Sequence, residues 1–176
     1  TSKPEVMRAA VAAGAGMIND VFALRREGAL AAAADLGVPV VLMHLLGEPG
    51  SMQDDPRYDD VVADVHRFLA ERLFACEMAG IPRSRLVVDP GFGFGKTLEH
   101  NLRLLRQLAR LGDLGVPVLA GLSRKRSLGE ITGRGVDERL AASLAAAVLA
   151  AEYGARLIRV HDVAATVDAL RVWQAL

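Results

Sequence analysis

The feature that most constrains the fold is the alternation of short, nearly continuous apolar runs with longer segments of helical periodicity. Five runs have the composition of buried strands: Gly16–Asp20, Pro39–His44, Arg85–Pro90, Val116–Ser123 and Ala155–Asp162. Such strands are typical of a parallel sheet covered on both faces, and parallel neighbours require a long crossover, usually a helix. The pattern predicts an α/β protein of repeated βα units, either an open doubly wound sheet or part of a (β/α)8 TIM barrel.

Helix start and stop signals support this alternation. Ser2 to Glu5 has the S-x-x-E form of a capping box, with Pro4 in the first turn. Asp55 followed by Pro56 predicts the start of a helix that runs towards Ala79 and ends at Gly80. Further helices are predicted over Leu98–Leu111 (with Leu102, Leu105, Leu108 and Ala109 on one face), Asp137–Tyr153 and Val163–Ala175.

The chain is predicted to form a single domain over residues 1–176, because its 176 residues show no linker and no second compositional regime. A hydrophobic content of 52% provides for a large core and excludes a disordered chain. A complete barrel has eight units and typically ~250 residues. We therefore expect about five units here, without the N-terminal strands of the barrel.

Charge and cysteine content exclude several classes of protein. Lysine plus arginine and aspartate plus glutamate each total 21, so the formal net charge is zero, which argues against a nucleic acid or a membrane as main partner. No apolar run approaches the ~18 residues of a membrane span, and no signal peptide is recognisable. The one cysteine, Cys76, cannot form an internal disulfide, which favours a cytoplasmic protein.

Polar side chains with chemical capacity follow every predicted strand, where parallel α/β folds bind their ligands. They are Asn19 and Asp20, His44, Asp89, Ser123 to Lys125, and Arg159 with His161. The alternative is that these residues cap the following helices, which suits Asp20 and Asp162. It does not suit the cations, because positive charge is unfavourable at a helix N-terminus. Converging cations instead indicate an anionic ligand.

The glycine-rich stretch after the third strand, DPGFGFGKT, is not a nucleotide-binding motif. A P-loop requires glycine where this chain has Pro90, and the alternating glycines do not match the dinucleotide fingerprint. We expect a flexible loop with Asp89 fixed at the strand end. Phe92 and Phe94 either cover a flat ligand or pack on neighbouring helices.

A buried Asp89 carboxylate needs hydrogen-bond donors, and a heterocycle with an amino group beside a ring N–H offers two. Asn19 would bind another edge, Lys125 would reach a ring carbonyl, and Arg159 would stack on the ring while holding a phosphate. The residues alone do not select the heterocycle. His44 is interpreted as a structural residue and Cys76 as core packing, since no metal-ligand spacing and no G-x-S-x-G elbow is present.

Five segments together resemble the dihydropteroate synthases, in family order over essentially the whole chain. They are TSKPEVMRAAVAAGAGMIND, VVLMHLLGEPGSMQ, DPGFGFGKTLEHNLRLL, AGLSRKRSLGEITGR and LIRVHDVAATVDALRV. The resemblance implies a (β/α)8 barrel that joins 6-hydroxymethyl-7,8-dihydropterin diphosphate to 4-aminobenzoate, giving 7,8-dihydropteroate and pyrophosphate. It also implies that sulfonamides compete with the aminobenzoate and that the protein is a homodimer.

The resemblance assigns roles to residues of this chain. It implies that Lys125, Arg159 and His161 are catalytic, that Asn19 and Asp89 hold the pterin edge, and that Arg159 and His161 hold the diphosphate. The full set of implied substrate-binding residues is Asn19, Met43, Asp89, Phe94, Gly121, Ser123, Lys125, Arg159, Val160 and His161. The implied mechanism is SN1-like, with Mg²⁺ helping the diphosphate to leave. The family's Mg²⁺ ligand lies in strands that precede this chain, so no metal ligand is expected within it.

Two other interpretations stay open. A pterin-dependent methyltransferase domain has a similar barrel, although the SRKR and RVHDV segments favour a substrate with a diphosphate. A non-catalytic or truncated homologue that binds pterin without turnover is the third interpretation, and the expected absence of the N-terminal strands favours it.

Overall fold

The computed structural model describes residues 1–47, 50 and 56–176. The described strands are β1 (Ile18–Asp20), β2 (Val40–Met43), β3 (Leu86–Asp89), β4 (Leu119–Ala120) and β5 (Leu157–Ile158). The described α-helices are α1 (Pro4–Ala12), α2 (Ala29–Leu36), α3 (Val61–Met78), α4 (Leu98–Arg106), α5 (Arg126–Thr132), α6 (Leu140–Glu152) and α7 (Val163–Gln174). Short 3₁₀ helices cover Arg83–Arg85, Leu108–Leu114 and Val136–Glu138.

The strands pair in parallel and in chain order. β2 lies between β1 and β3, and β4 pairs with β5. A single bridge between Val88 and Val118 joins the two groups, with the Val88 amide donating to the Pro117 carbonyl at 3.0 Å. An open doubly wound sheet reverses its strand order at a switch point, and this order does not. The structure is therefore a partial (β/α) barrel of about five units, one of the two predicted arrangements.

The core lies between the strands and the helices that cover them. All four residues of β2 are buried, as expected of a strand covered on both faces. Helix α3 contributes its buried stripe to this core, including Val65, Leu69 and Leu73. Cys76 is buried on the same helix, which confirms its prediction as a packing residue. None of the described helices has the length and apolar character needed to cross a membrane.

Two predicted helix starts are wrong. Helix α1 begins at Pro4 with Lys3 at the N-cap and no side-chain cap, so Ser2 lies too early to form the predicted capping box. The helix predicted from Asp55 begins instead at Val61, and Asp55 itself lies outside the described residues. The reason is Asp60, whose carboxylate accepts the amides of Val62 at 3.0 Å and Ala63 at 3.3 Å. This cap satisfies the free amides of the first turn.

The predicted helix Leu98–Leu111 is also interrupted. Its α-helical part ends at Arg106, and a tighter 3₁₀ helix follows from Leu108. The change of pitch rotates the buried face, so Leu104, Leu108 and Leu111 enter the core. Of the predicted face, Leu102 and Leu105 are half-buried and Ala109 is exposed. The last two predicted helices are confirmed, α6 starting three residues later than predicted and α7 ending one residue earlier.

Comparison of two glycines with the same backbone conformation distinguishes the cost of backbone strain from the cost of a steric clash. Gly91 and Gly133 both have φ of +69°, but a Cβ on Gly91 would collide with the His44 carbonyl, while a Cβ on Gly133 would meet nothing within 4 Å. We expect Gly133→Ala to cost about 1 kcal/mol of stability, from the left-handed backbone alone. Gly91→Ala should cost at least ~2 kcal/mol more, because the opposing atom is backbone and cannot rotate away. Urea unfolding of both variants tests this, and equal losses would contradict it.

Candidate functional site

The carboxyl ends of the five strands gather the residues predicted from the sequence. Asn19 lies in β1, Met43 ends β2 and Asp89 ends β3. Residues Gly121 to Lys125 follow β4, and Arg159 to His161 follow β5. Because parallel strands end at the same edge, these segments form one mouth of the partial barrel.

Asp89 and Asn19 each keep a buried oxygen without a partner. Asp89 is 1% exposed, and its Oδ1 accepts the Gly91 amide at 2.7 Å. Its Oδ2 and the Oδ1 of Asn19 are, among the described residues, the two buried side-chain polar atoms without a hydrogen bond. Buried polar atoms are nearly always satisfied in folded proteins, so each exception requires an explanation. Donors on a ligand would satisfy both.

The electrostatics of Asp89 are balanced between burial and nearby cations. Burial raises the pKa of Asp89 above its ordinary value of 3.8. The Gly91 amide and the positive charges of Arg159, Lys96 and Lys125 lower the same pKa, but less strongly. The carboxylate therefore stays less favourable in the folded protein than in water until a ligand supplies donors.

Lys125 and Arg159 converge on this mouth. The Lys125 ammonium lies 4.2 Å from the centre of the Phe94 ring. Burial and the charge of Arg159 lower the pKa of Lys125, whereas Asp89 raises it. The guanidinium of Arg159 lies against Gly121, where a Cβ would stand 3.3 Å from Nη2. Gly121 thus leaves room for the arginine, which is exposed on its other side.

Ser123 connects the loops that follow β4 and β5. Its Oγ accepts the His161 amide at 3.2 Å and lies 3.0 Å from the His161 Nδ1. Ser123 is buried and His161 is exposed, so the buried serine hydroxyl fixes the position of the histidine ring. Val160 is placed differently: it lines a small cavity beneath α6 with Ala147 and Ala150. The structure does not bring its side chain together with the cations.

The two phenylalanines of the glycine loop have different environments. Phe92 is 1% exposed and packs in the main core, which is the packing alternative weighed for it. Phe94 is half-buried and packs against a separate small cluster formed by Phe22, Met43 and Leu45. Phe94 is thus the phenylalanine with a face available at the mouth, and Met43 lies buried beneath.

Lys96 is the residue of this region that the sequence analysis missed. The whole residue is 3% exposed, and its ammonium contacts the His44 Nδ1 at 2.9 Å, the Gly91 carbonyl at 3.1 Å and the Phe94 carbonyl at 3.0 Å. Burial lowers the pKa of Lys96 to about 7, against the opposing effect of Asp89. Three acceptors match the three donors of an ammonium, so Lys96 fastens the glycine loop to the end of β2. The only signal in the sequence was a lysine directly after the alternating glycines.

His44 accordingly has the structural role that was predicted. Burial and the charge of Lys96 lower the pKa of His44 to about 2, which keeps the ring neutral. Its ring edge faces Phe68, with the centroids 5.0 Å apart. His100 has a local structural role, because its Nδ1 accepts the Thr97 amide at 3.3 Å in a capping box of α4.

The two predicted capping aspartates act in other ways. Asp20 accepts the amides of Phe22 at 3.0 Å and Leu24 at 2.8 Å, so it fixes a turn rather than a helix start. Asp162 occupies the N-cap position of α7, but its side chain makes no capping bond. Its carboxylate pairs instead with Arg124. The interpretation that these two aspartates cap the following helices is therefore wrong, although both carboxylates stabilise local structure.

Comparison with known proteins identifies the family. The sequence pattern described as "Pterin binding enzyme" matches residues 1–161. The chain belongs to the pterin binding enzyme family. It is similar to the dihydropteroate synthase of Escherichia coli (strain K12), at 52% identity over 175 residues that cover 99% of this chain and 62% of the relative.

Solved structures of pterin binding enzymes share the fold closely. Dihydropteroate synthase from Xanthomonas albilineans matches with a TM-score of 0.93 and 69% identity in a structure with 4-aminobenzoic acid, covering 99% of this chain and 62% of that chain. In complex with 7,8-dihydropteroate it matches with a TM-score of 0.94 and 68% identity, covering 99% and 64%. A Yersinia pestis dihydropteroate synthase with a sulfonamide drug matches with a TM-score of 0.97 and 46% identity, covering 99% and 64%. The chain thus spans less than two thirds of the length of these relatives.

Replacement of a buried polar group usually destabilises a protein, but replacement of Asp89 should stabilise this one. Because the folded protein holds the Asp89 proton more tightly than the unfolded chain does, stability falls as the pH rises above the ordinary carboxyl range. Asp89→Asn removes that loss, so we expect the variant to be more stable than the parent by about 1 kcal/mol at pH 7, with no difference near pH 3. Urea unfolding between pH 3 and 8 measures both curves.

Asp20→Asn is the matched control, because Asp20 is equally buried but both of its oxygens accept backbone amides. Its replacement places an amide N–H₂ against a donor, and we expect a loss of about 1–3 kcal/mol. A destabilised Asp89→Asn variant at pH 7 would contradict the interpretation of Asp89.

Proposed function

We propose that the protein containing this chain is a dihydropteroate synthase, a transferase that joins 6-hydroxymethyl-7,8-dihydropterin diphosphate to 4-aminobenzoate in folate biosynthesis. The observation that carries the proposal is the pair of unpartnered buried oxygens, on Asn19 and Asp89, beside the cations Lys125 and Arg159. Two oxygens suit the donors of a pterin, and the cations suit a diphosphate. The 7,8-dihydropteroate named for one relative agrees with the pterin half of this proposal.

Asp89 would select the pterin. Its free Oδ2 accepts one donor from the amino group or the ring N–H, and its Oδ1 already holds the Gly91 amide at 2.7 Å. Asn19 would accept a further donor on another edge of the ring. The donors restore the hydrogen bonds that burial removed, so binding to a wrong heterocycle would leave an unpaired carboxylate oxygen and be disfavoured.

The cations would assist the departure of the diphosphate. When the bond between the pterin methylene carbon and the ester oxygen breaks, the electron pair stays on that oxygen, and negative charge develops there. Arg159 and His161 would bind the diphosphate, and positive charge already positioned beside it stabilises the transition state. Arg159 turns its Nε–Nη2 edge toward Gly121, and a face of the guanidinium would stack on the pterin and support the cation that forms on the ring.

The aminobenzoate would then attack the methylene carbon. Its nitrogen forms the new C–N bond and loses a proton, and no enzyme nucleophile is needed. Phe94 and Ser123 would line this side, with Met43 beneath the pterin, and the Lys125 ammonium over the Phe94 ring would contact both substrates. Gly121 would leave room for Arg159, and the Val160 side chain would pack beneath α6, away from the cations. Sulfonamides would compete for the aminobenzoate position.

Mg²⁺ stays a prediction. Among the described residues no group of three or more histidine, cysteine, aspartate or glutamate side chains could hold a metal ion. No step above is routed through a metal. The cytoplasmic location likewise stays a prediction.

Pyrophosphate release tests the proposal. The chain, alone and joined to the N-terminal segment of the Escherichia coli relative, is supplied with dihydropterin diphosphate, 4-aminobenzoate and Mg²⁺. We expect turnover in at least the joined form, with Asp89→Asn and Arg159→Gln each lowering kcat/KM by about 100-fold or more. Arg156→Gln is the matched control, since Arg156 and Arg159 flank β5 at opposite ends.

The outcomes separate the three interpretations. Turnover that Asp89→Asn removes and Arg156→Gln leaves unchanged supports the synthase. If neither the chain alone nor the joined form releases pyrophosphate, while a pterin still binds through Asp89, a non-catalytic homologue would be favoured. Transfer of a methyl group instead would favour the methyltransferase. Equal losses in the Arg159 and Arg156 variants would contradict the assignment of the diphosphate to the strand ends.

We further propose that the protein is a homodimer. An apolar groove of about 270 Å³ between α4, α5 and α6 exposes Ile131 by 54% and Leu149 by 43%. Exposed apolar patches of this kind are typical of protein interfaces. We expect a dimer in sedimentation velocity that Leu149→Lys converts to a monomer. Met78→Lys, at a residue 73% exposed on α3, should leave the dimer intact, and a monomeric parent protein would overturn the proposal.

A further inference from the structure

The two loops that carry the site's cations repel each other. Lys125 follows β4 and Arg159 follows β5, and the charge of Arg159 contributes to the lowered pKa of Lys125. His161 adds a third basic side chain on the second loop. Asp89 attracts Lys125 and Arg159, but the repulsion between the cations still favours separation of the two loops unless a further interaction joins them.

A bidentate ion pair spans the same two loops. Arg124 donates from Nε to the Asp162 Oδ2 at 3.0 Å and from Nη2 to the Asp162 Oδ1 at 2.7 Å. The arginine side chain is 32% exposed and the aspartate 24%, so water screens the pair only in part. Hydrogen bonding to Arg124 lowers the pKa of Asp162, which keeps the carboxylate charged. A fork-to-carboxylate contact fixes distance and orientation together.

The backbone of Arg124 is held in an uncommon conformation. Its φ is +56°, in the left-handed region that non-glycine residues seldom adopt. Its amide donates to the Ser143 Oγ at 2.9 Å, and its carbonyl accepts from the Arg139 Nη1 at 3.1 Å. Ser143 lies in α6 and Arg139 is the N-cap residue of that helix, so the helix stabilises the strained turn. Strained residues held in this way are common at functional sites.

The positions along the chain link this pair to the site. Arg124 lies between Ser123 and Lys125, and Asp162 directly follows His161. The other acidic contact of Arg124 is Asp137 at 3.9 Å, which is 91% exposed and therefore well screened. Asp162 is thus the partner that determines where the Arg124 side chain lies.

We propose that Arg124 and Asp162 are positioning residues, whose ion pair holds the loops after β4 and β5 together so that Lys125, Arg159 and His161 converge on one bound pterin diphosphate. The inference rests on the proposed function, since the Arg124–Asp162 ion pair is inferred to position the residues of that same site. It assigns no contact with substrate to either residue.

The charge of Asp162 makes the proposal testable. Asp162→Asn removes a negative charge beside the basic side chains, so simple electrostatics predicts tighter binding of an anion. Loss of a positioning contact predicts the opposite, weaker binding, because the cations would no longer converge. The two explanations therefore differ in the sign of one measurement.

The experiment is a double-variant cycle in the form of the protein that releases pyrophosphate. Asp162→Asn, Arg124→Gln and the double variant are compared for pyrophosphate affinity by calorimetry, for kcat/KM and for the urea midpoint. We expect each single variant to bind pyrophosphate about tenfold more weakly, the double variant to be no worse than either, and the urea midpoint to change little. Arg134→Gln, which breaks the exposed pair with Glu138 at 3.3 Å, is the matched control and should change none of the three.

Tighter pyrophosphate binding by Asp162→Asn, additive losses, or losses that follow the urea midpoint would overturn the positioning role while the proposed function stands. An unmodified protein that neither releases nor binds pyrophosphate would overturn the proposed function, and the positioning role with it. Weaker binding in Asp162→Asn at an unchanged midpoint supports the inference.

Discussion

The parallel pairing of β2 with β1 and β3 is the interaction on which the rest of the structure depends. Its register aligns Asn19 with Val41 and Met43 with Asp89, so the polar ends of three strands meet at one edge. A shift by one residue would exchange the side chains that pack on the two faces of the sheet, and the close packing of β2 on both faces opposes such a shift. The site is therefore positioned by apolar packing that takes no part in the chemistry. The loops add to this frame what the strands cannot supply, namely charge and shape.

The frame carries groups that oppose folding. Two buried oxygens have no partner, and the cations of two loops repel each other. Local interactions offset these terms: Lys96 joins the glycine loop to the end of β2, and Arg124 joins the loop after β4 to Asp162. Neither Lys96 nor Arg124 is assigned a contact with the proposed substrates. A site arranged for a charged, hydrogen-bonding ligand is accordingly less stable when empty than an apolar mouth would be.

The sequence predicted the strands and their polar ends well, because apolar runs and the residues that follow them are local features. The helix starts were harder, since Asp55 and Asp60 are both good N-cap residues and only the folded turn selects Asp60. The contacts of Lys96 with His44 and of Arg124 with Asp162 join residues 52 and 38 positions apart. Contacts between residues so far apart leave no periodic pattern, so the sequence alone does not predict either pair. Residue chemistry indicated roles for Asn19, Asp89, Lys125 and Arg159, whereas the remaining assignments came from the family resemblance.

The arrangement of charge also bears on which reaction the fold would support. A methyl transfer releases no anionic leaving group at this mouth, so Asp89 would be the acidic side chain left to balance Lys125 and Arg159. A diphosphate that gains charge as it departs is stabilised by both cations, and the stabilisation grows as the bond breaks. The same Asp89 and Asn19 would bind the pterin in either reaction. The difference lies in the loops after β4 and β5, and a basic side chain held against repulsion is useful only where an anion forms.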